Sequence, residues 1–110
     1  MRKNPLLEEL HFRQSFIITA DDTFTECERL TSTPIDVSDQ AKRHWRRAAK
    51  LYGIAAEHYR RGGLGLRAIV AWQAAAKCFE ALRMPDDHER CRLKSVSIPI
   101  YYEEMNDDRA

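Results

Sequence analysis

The sequence predicts a mainly α fold built on an antiparallel helical hairpin. Three observations carry the prediction. Ala41, Trp45, Ala48, Tyr52, Ala55 and Tyr59 recur at alternating steps of four and three, which places them on one face of a helix. Gly62-Gly63-Leu64-Gly65 interrupts that pattern, and glycine ends helices because it takes the left-handed conformation cheaply. Beyond the break, Ile69, Val70, Trp72, Ala75, Ala76, Phe79 and Leu82 cover a wide apolar arc, as in a helix sandwiched between neighbours.

Size matching across the break supports the hairpin. Tyr52, Ala56, Tyr59, Gly63, Ala68, Ile69, Trp72 and Ala75 alternate large aromatics with small residues at helical spacing. Alanines at 56, 68 and 75 let two backbones approach, and Tyr59 and Trp72 fill the adjoining space. Truncating a deeply buried aromatic to alanine costs about 3–5 kcal/mol. Together with Trp45 and Phe79, these residues read as fold-defining, turned inward and without chemistry.

The remaining elements are taken in chain order. Leu6, Leu7, Leu10 and Phe12 suit a short amphipathic helix. Phe16-Ile17-Ile18-Thr19 and Thr23-Phe24-Thr25 are β-rich in composition, with Ala20-Asp21-Asp22 as a turn between them. The N-terminal arm is therefore expected to be a short helix or a small β-hairpin. Helix is the preferred reading, because a lone two-stranded hairpin has little stability. Residues 31–38 read as a linker ending in Ser38 as N-cap, with Asp39 in the first turn of a helix to about Arg61. A second helix runs from about Leu66 to Arg83 and is broken by Met84-Pro85. Asp86 and Glu89 form a capping-box pattern opening a third helix, which turns Cys91, Val96 and Ile98 inward and stops before Pro99. The chain divides into an arm and linker (1–37), a helical domain (38–98) and an acidic tail (99–110).

Composition bounds the function. A chain of 110 residues that is 44% hydrophobic and 32% charged suits one ordinary folded domain. No apolar run approaches the roughly 18 residues a membrane span needs, and the N-terminus lacks a leader pattern, so a cytoplasmic location is expected. Charge is segregated. Residues 1–37 carry four basic and seven acidic side chains, residues 38–98 thirteen and six, and residues 99–110 one and four. A basic centre between two acidic arms suits folding of the arms onto that centre, onto a second copy's centre, or an acidic partner.

The candidates for chemistry are sparse. Cys27, Cys78 and Cys91 match no zinc spacing and read as reduced, buried thiols. His88 and Cys91 are i, i+3 on one helix, but two ligands do not make a metal site. The pairs Asp21-Asp22 and Asp86-Asp87 suit turn and cap roles. No nucleophile has a recognisable partner, and Gly62 to Gly65 joins helices rather than extending from a strand. A non-enzymatic protein without a cofactor or metal is expected. Lys42, Arg43, Arg46, Arg47 and Lys50 surround Trp45, which makes nucleic-acid binding through helix residues 42–50 an alternative. The pI of about 7.8 lies below the range above 9 that marks such modules.

Ala48-Ala49-Lys50-Leu51-Tyr52, Ala55-Ala56-Glu57-His58-Tyr59 and Ala75-Ala76-Lys77-Cys78-Phe79 share one form, which suggests a helical solenoid unit. With the aromatic–alanine series, the segment 48–92 resembles a tetratricopeptide repeat of the longer-helix kind found in soluble NSF-attachment proteins. Tyr52, Ala56 and Tyr59 match the family's first helix, Gly63 its turn, and Ala68-Ile69, Trp72 and Ala75 its second helix. Ala55 stands where a larger aliphatic is usual, and no proline stands after the second helix at the family position. The resemblance covers one to one and a half degenerate units.

The resemblance implies a protein-interaction module, such as an adaptor, a chaperone-like protein or an inhibitory subunit, that docks a partner peptide or helix on a repeat face. An immunity or antitoxin-type inhibitor is a further alternative. The expected contacts are basic residues beside aromatics: Arg43, Arg46, Lys50, Arg60 and Arg67. So short a repeat leaves an apolar face open. Leu6, Leu10, Phe12, Phe16 and Phe24 are the candidates to cover it, or a second chain is, which implies a homodimer or a subunit of a larger complex.

Overall fold

In the computed structural model, residues 5–32, 34 and 39–100 are described. They form four helices: α1 Pro5–Leu30, α2 Asp39–Arg61, α3 Gly65–Ala81 and α4 Pro85–Val96. Ser38, most of the linker and residues 101–110 of the acidic tail lie outside the described residues.

The arm is a single helix of 26 residues rather than a short helix or a hairpin. Burial overrides its β-rich composition. The hydroxyls of Thr19, Thr23 and Thr25 donate to the carbonyls of Ser15, Thr19 and Asp21, four residues back at 2.8–3.0 Å, so the threonines are satisfied within the helix without favouring it. Helical winding puts Phe16, Ala20, Phe24 and Cys27 on one side, where they meet α2. Phe16 stacks on His58 with ring centroids 5.8 Å apart, and Phe24 meets Tyr52 edge-on at 5.1 Å. Burial of that stripe outweighs a propensity difference of tenths of a kcal/mol per residue.

Each helix packs on the next in sequence, α1 on α2, α2 on α3 and α3 on α4. Two clusters form the core. One joins Cys27 and Leu30 of α1 to Ala48, Ala49 and Tyr52 of α2, and to Ala75, Ala76 and Cys78 of α3. The other joins Ala20 to Ala55, Ala56 and Tyr59, and to Ala68 and Ala71. Early α2 thus meets late α3, and late α2 meets early α3, so the two run antiparallel. Among the described residues, ten of the sixteen buried apolar residues are alanines. The helices approach closely; Tyr52 and Tyr59 are buried between them, while Trp45, Trp72 and Phe79 are half-buried at the rim.

The α2–α3 and α3–α4 connections are the same motif. Gly63 N–H bonds the Arg60 carbonyl at 3.0 Å and Leu64 N–H that of Tyr59 at 2.9 Å. Twenty residues on, Arg83 N–H bonds Glu80 at 3.0 Å and Met84 N–H bonds Phe79 at 2.9 Å. Both are Schellman turns. The left-handed residue is Gly63 (φ 82°) in the first and Arg83 (φ 58°) in the second. Two of the three Ala-Ala-x-x-aromatic copies, 55–59 and 75–79, therefore stand at equivalent helix ends, while 48–52 lies inside α2.

Three boundary expectations are corrected. Pro85 is the first residue of α4 and Met84 its N-cap, so Asp86 lies inside the first turn, where its charge suits the helix dipole. Glu89 pairs with Arg92 at 2.5 Å instead of capping. Val96 is exposed, while Ser95 takes the buried position beside Cys91 on α4. Val70 on α3 is also exposed.

Candidate interaction groove

α3 runs between α2 and α4 and presents Trp72 and Phe79 to the gap between them. The result is a groove of about 490 Å³. Small residues make room for it. Ala49 and Gly53 of α2 and Cys91 of α4 line its sides, with Ile54 adding apolar surface. Gly53 permits a close approach, since a Cβ there would stand 3.0 Å from Cζ3 of Trp72. A smaller cavity of about 310 Å³ continues the groove past Glu57, Trp72 and Lys94 to Ser97, Ile98 and Pro99.

The rim is cationic. Lys50 and Arg61 stand on the α2 side, and Arg90 and Lys94 on the α4 side. Lys94 lies over the Trp72 ring, with Nζ 5.7 Å from its centroid. Arg61 reaches out of the groove over Phe16 at 5.8 Å. Arg90 pairs with Asp87 at 2.7 Å, an exposed i, i+3 contact of small energetic weight. Glu57 is the one carboxylate lining the groove among the described residues, and Arg60 holds it at 3.0 Å. His58 lies at the edge with its Nδ1 buried and without a hydrogen-bond partner. An apolar, aromatic floor under a positive rim can take a segment that carries both apolar side chains and carboxylates.

The expected partner-binding residues separate. Lys50 lines the groove. Arg46 and Arg43 are exposed one and two turns before it on the same face of α2, beyond the groove's end. Arg60 lines the smaller cavity, already paired with Glu57. Arg67 is exposed on α3 and faces Tyr59 electrostatically, away from the groove. Arg61 belongs to the basic cluster of Arg60, Arg61 and Arg67 beside the glycine turn, whereas the sequence pattern does not single out Arg90 and Lys94. The i, i+4 pair Arg90/Lys94 on a helix with one narrow buried face is the available signal. Trp72 and Phe79, expected to turn fully inward, are half-buried because they floor the groove.

The thiols are chemically quiet. Cys27 is fully buried and its pKa is pushed up to about 12, chiefly by burial and then by neighbouring Cys78. Burial pushes Cys78 up to about 11, with Cys91 adding to it, and raises Cys91 as well. Asp21 and Asp22 are exposed in the middle of α1 rather than in a turn, and Asp21 accepts a hydrogen bond from the Tyr59 hydroxyl. Among the described residues, no group of three or more His, Cys, Asp or Glu side chains could hold a metal ion. No helix among them is long and apolar enough to cross a membrane. No protein-family model matches the chain, no curated protein matches it, and no solved structure does.

Proposed function

We propose that this chain is a non-enzymatic, tetratricopeptide-like interaction module. Its ligand is an acidic peptide segment with aromatic or aliphatic side chains, docked between α2 and α4. The single observation that carries the reading is the groove floored by Trp72 and Phe79 beneath Lys50, Arg61, Arg90 and Lys94. Apolar burial supplies affinity, and the cationic rim selects sign and register. Sequential helix packing and two equivalent turns support the repeat-like reading. Assembly belongs to the same reading. Leu6, Leu7, Leu10 and Phe12 are exposed on the first turns of α1, where a second copy would cover them.

The test is titration of a fluorescein-labelled peptide with two tyrosines flanked by glutamates against the full chain. Saturable binding that Lys94→Glu weakens is expected. Absence of binding, or equal binding of a lysine-for-glutamate version, overturns the reading. The second reading, nucleic-acid binding, rests on Lys42, Arg43, Arg46, Arg47 and Lys50, all exposed on α2. It requires affinity for duplex or single strands that falls steeply with salt and is lost in Arg43/Arg46/Arg47→Ala.

A further inference from the structure

We propose that the acidic segment after Pro99 is the groove's own internal ligand, lying between α2 and α4 and competing with any partner. The inference rests on the reading of the groove as an acidic-peptide site. Four observations lead to it.

First, the chain leaves α4 at the mouth of the groove. Ser97, Ile98 and Pro99 line the smaller cavity with Trp72 and Lys94, and half-buried Ile98 packs on the second core cluster. The chain beyond α4 is therefore at the end of the groove, beside Glu57 and Arg60 of α2. Second, the segment beyond Pro99 has the required chemistry. Ile100, Tyr101 and Tyr102 are apolar or aromatic, and Glu103, Glu104, Asp107 and Asp108 are acidic. Third, the charges are complementary. The segment 99–110 has four acidic residues and one basic, whereas Lys50, Arg61, Arg90 and Lys94 line the groove with Glu57 alone opposing them.

Fourth, the lengths agree. Lys50 and Arg61 are about 16 Å apart along α2 at 1.5 Å per residue. The five steps from Pro99 to Glu104 span about 17 Å when extended. The length of chain from Pro99 to the carboxylates at 103 and 104 therefore matches the length of the groove's cationic rim along α2.

Tethering makes weak contacts effective. A short tether gives an effective concentration of about 1 mM, so a segment with an intrinsic Kd of about 100 μM weakens a competing ligand about tenfold. The segment thus sets a threshold that a partner must exceed.

The deciding experiment places p-benzoylphenylalanine at Tyr102 in the full chain and maps the photo-adducts by mass spectrometry at low concentration. Adducts on Ile54, Trp72, Phe79 or Lys94 of the same chain are expected. Adducts elsewhere, only between two chains, or none at all overturn the proposal. A second measurement separates it from the reading it rests on. Glu103→Lys with Glu104→Lys should tighten binding of the labelled glutamate–tyrosine peptide about tenfold. Equal binding by variant and parent removes the internal ligand and leaves the groove reading standing. Binding by neither, with groove adducts at Tyr102, removes docking in trans and leaves the internal ligand.

Discussion

The Trp72 indole lies against the backbone of Gly53, so a Cβ there would meet Cζ3 at 3.0 Å and Cη2 at 3.2 Å. Gly53→Ala has opposing consequences. Alanine is better than glycine in a helix interior by about 1 kcal/mol. The indole, half-buried at the groove, must yield by some tenths of an ångström. Net stability is expected to change by less than about 1 kcal/mol. The Trp72 emission spectrum, read in a Trp45→Phe background, should shift. A destabilisation well beyond that, with unchanged emission, would mean that Trp72 is fixed and the helices separate instead.

The repeated turn gives a paired prediction. Gly63 and Arg83 occupy the same left-handed position of two Schellman turns. Gly63→Ala should cost about 1 kcal/mol, because a Cβ is disfavoured there. Arg83→Gly should stabilise by up to about 1 kcal/mol, by removing that same strain from an exposed residue. Urea denaturation with unchanged slope is the measurement, and opposite signs at the two positions are the expected result.

Tyr59 donates its hydroxyl proton to Asp21 and thereby ties α2 to α1. Tyr59→Phe should cost about 1 kcal/mol, the net value of one hydrogen bond. Tyr59→Ala, which also empties space among the helix-contact alanines, should cost about 3–5 kcal/mol. Comparable losses from the two variants would show that the hydroxyl, not the ring, dominates.

Alkaline pH should destabilise the fold. The folded-state pKa values of Cys27 and Cys78 are raised to about 12 and about 11, and Tyr52 and Tyr59 are raised chiefly by burial. Below the unfolded thiol value of about 8.5, both states hold these protons and the stabilisation is complete. Above it the unfolded chain releases protons that the folded chain retains, so stability is lost as pH climbs towards the folded values. Tm should fall steadily from about pH 8.5 upward. Thiol labelling of the native protein at neutral pH should be slow at all three cysteines and fast in denaturant.

Charge reversal across the groove should separate recognition from folding. Lys50 and Lys94 are exposed, so Lys50→Glu and Lys94→Glu should leave Tm within a few degrees. Both should weaken the acidic probe peptide, and the loss should shrink at high salt, where rim charges are screened. A lysine-bearing peptide should gain from the same variants. Equal loss of both peptides would point to a disturbed floor instead.

The hairpin was legible in the sequence because its signals are local. The steps of four and three from Ala41 to Tyr59 and the glycine break are properties of consecutive residues. The α1 helix was less legible, because the contacts that favour it, Phe16 on His58 and Phe24 on Tyr52, join residues far apart in the chain. The groove was least legible. Lys50, Trp72 and Lys94 come from three helices and meet only through the packing of α3 between α2 and α4. Arg43, Arg46, Arg60 and Arg67 were indistinguishable from the groove's cations by charge alone. Their position relative to the gap, not their chemistry, separates them.

The alanine-lined core constrains how the chain can vary. Most cores are damaged by lost volume, but here ten positions are already at or near the smallest side chain that supports a helix. Substitutions that add bulk there wedge helices apart, so those sites are expected to tolerate little beyond glycine, serine and cysteine. Trp45, Trp72 and Phe79 lie at the rim, and Trp72 and Phe79 line the groove. Sequence drift is thereby directed onto the rim, which can change while the spacing of the helices is held.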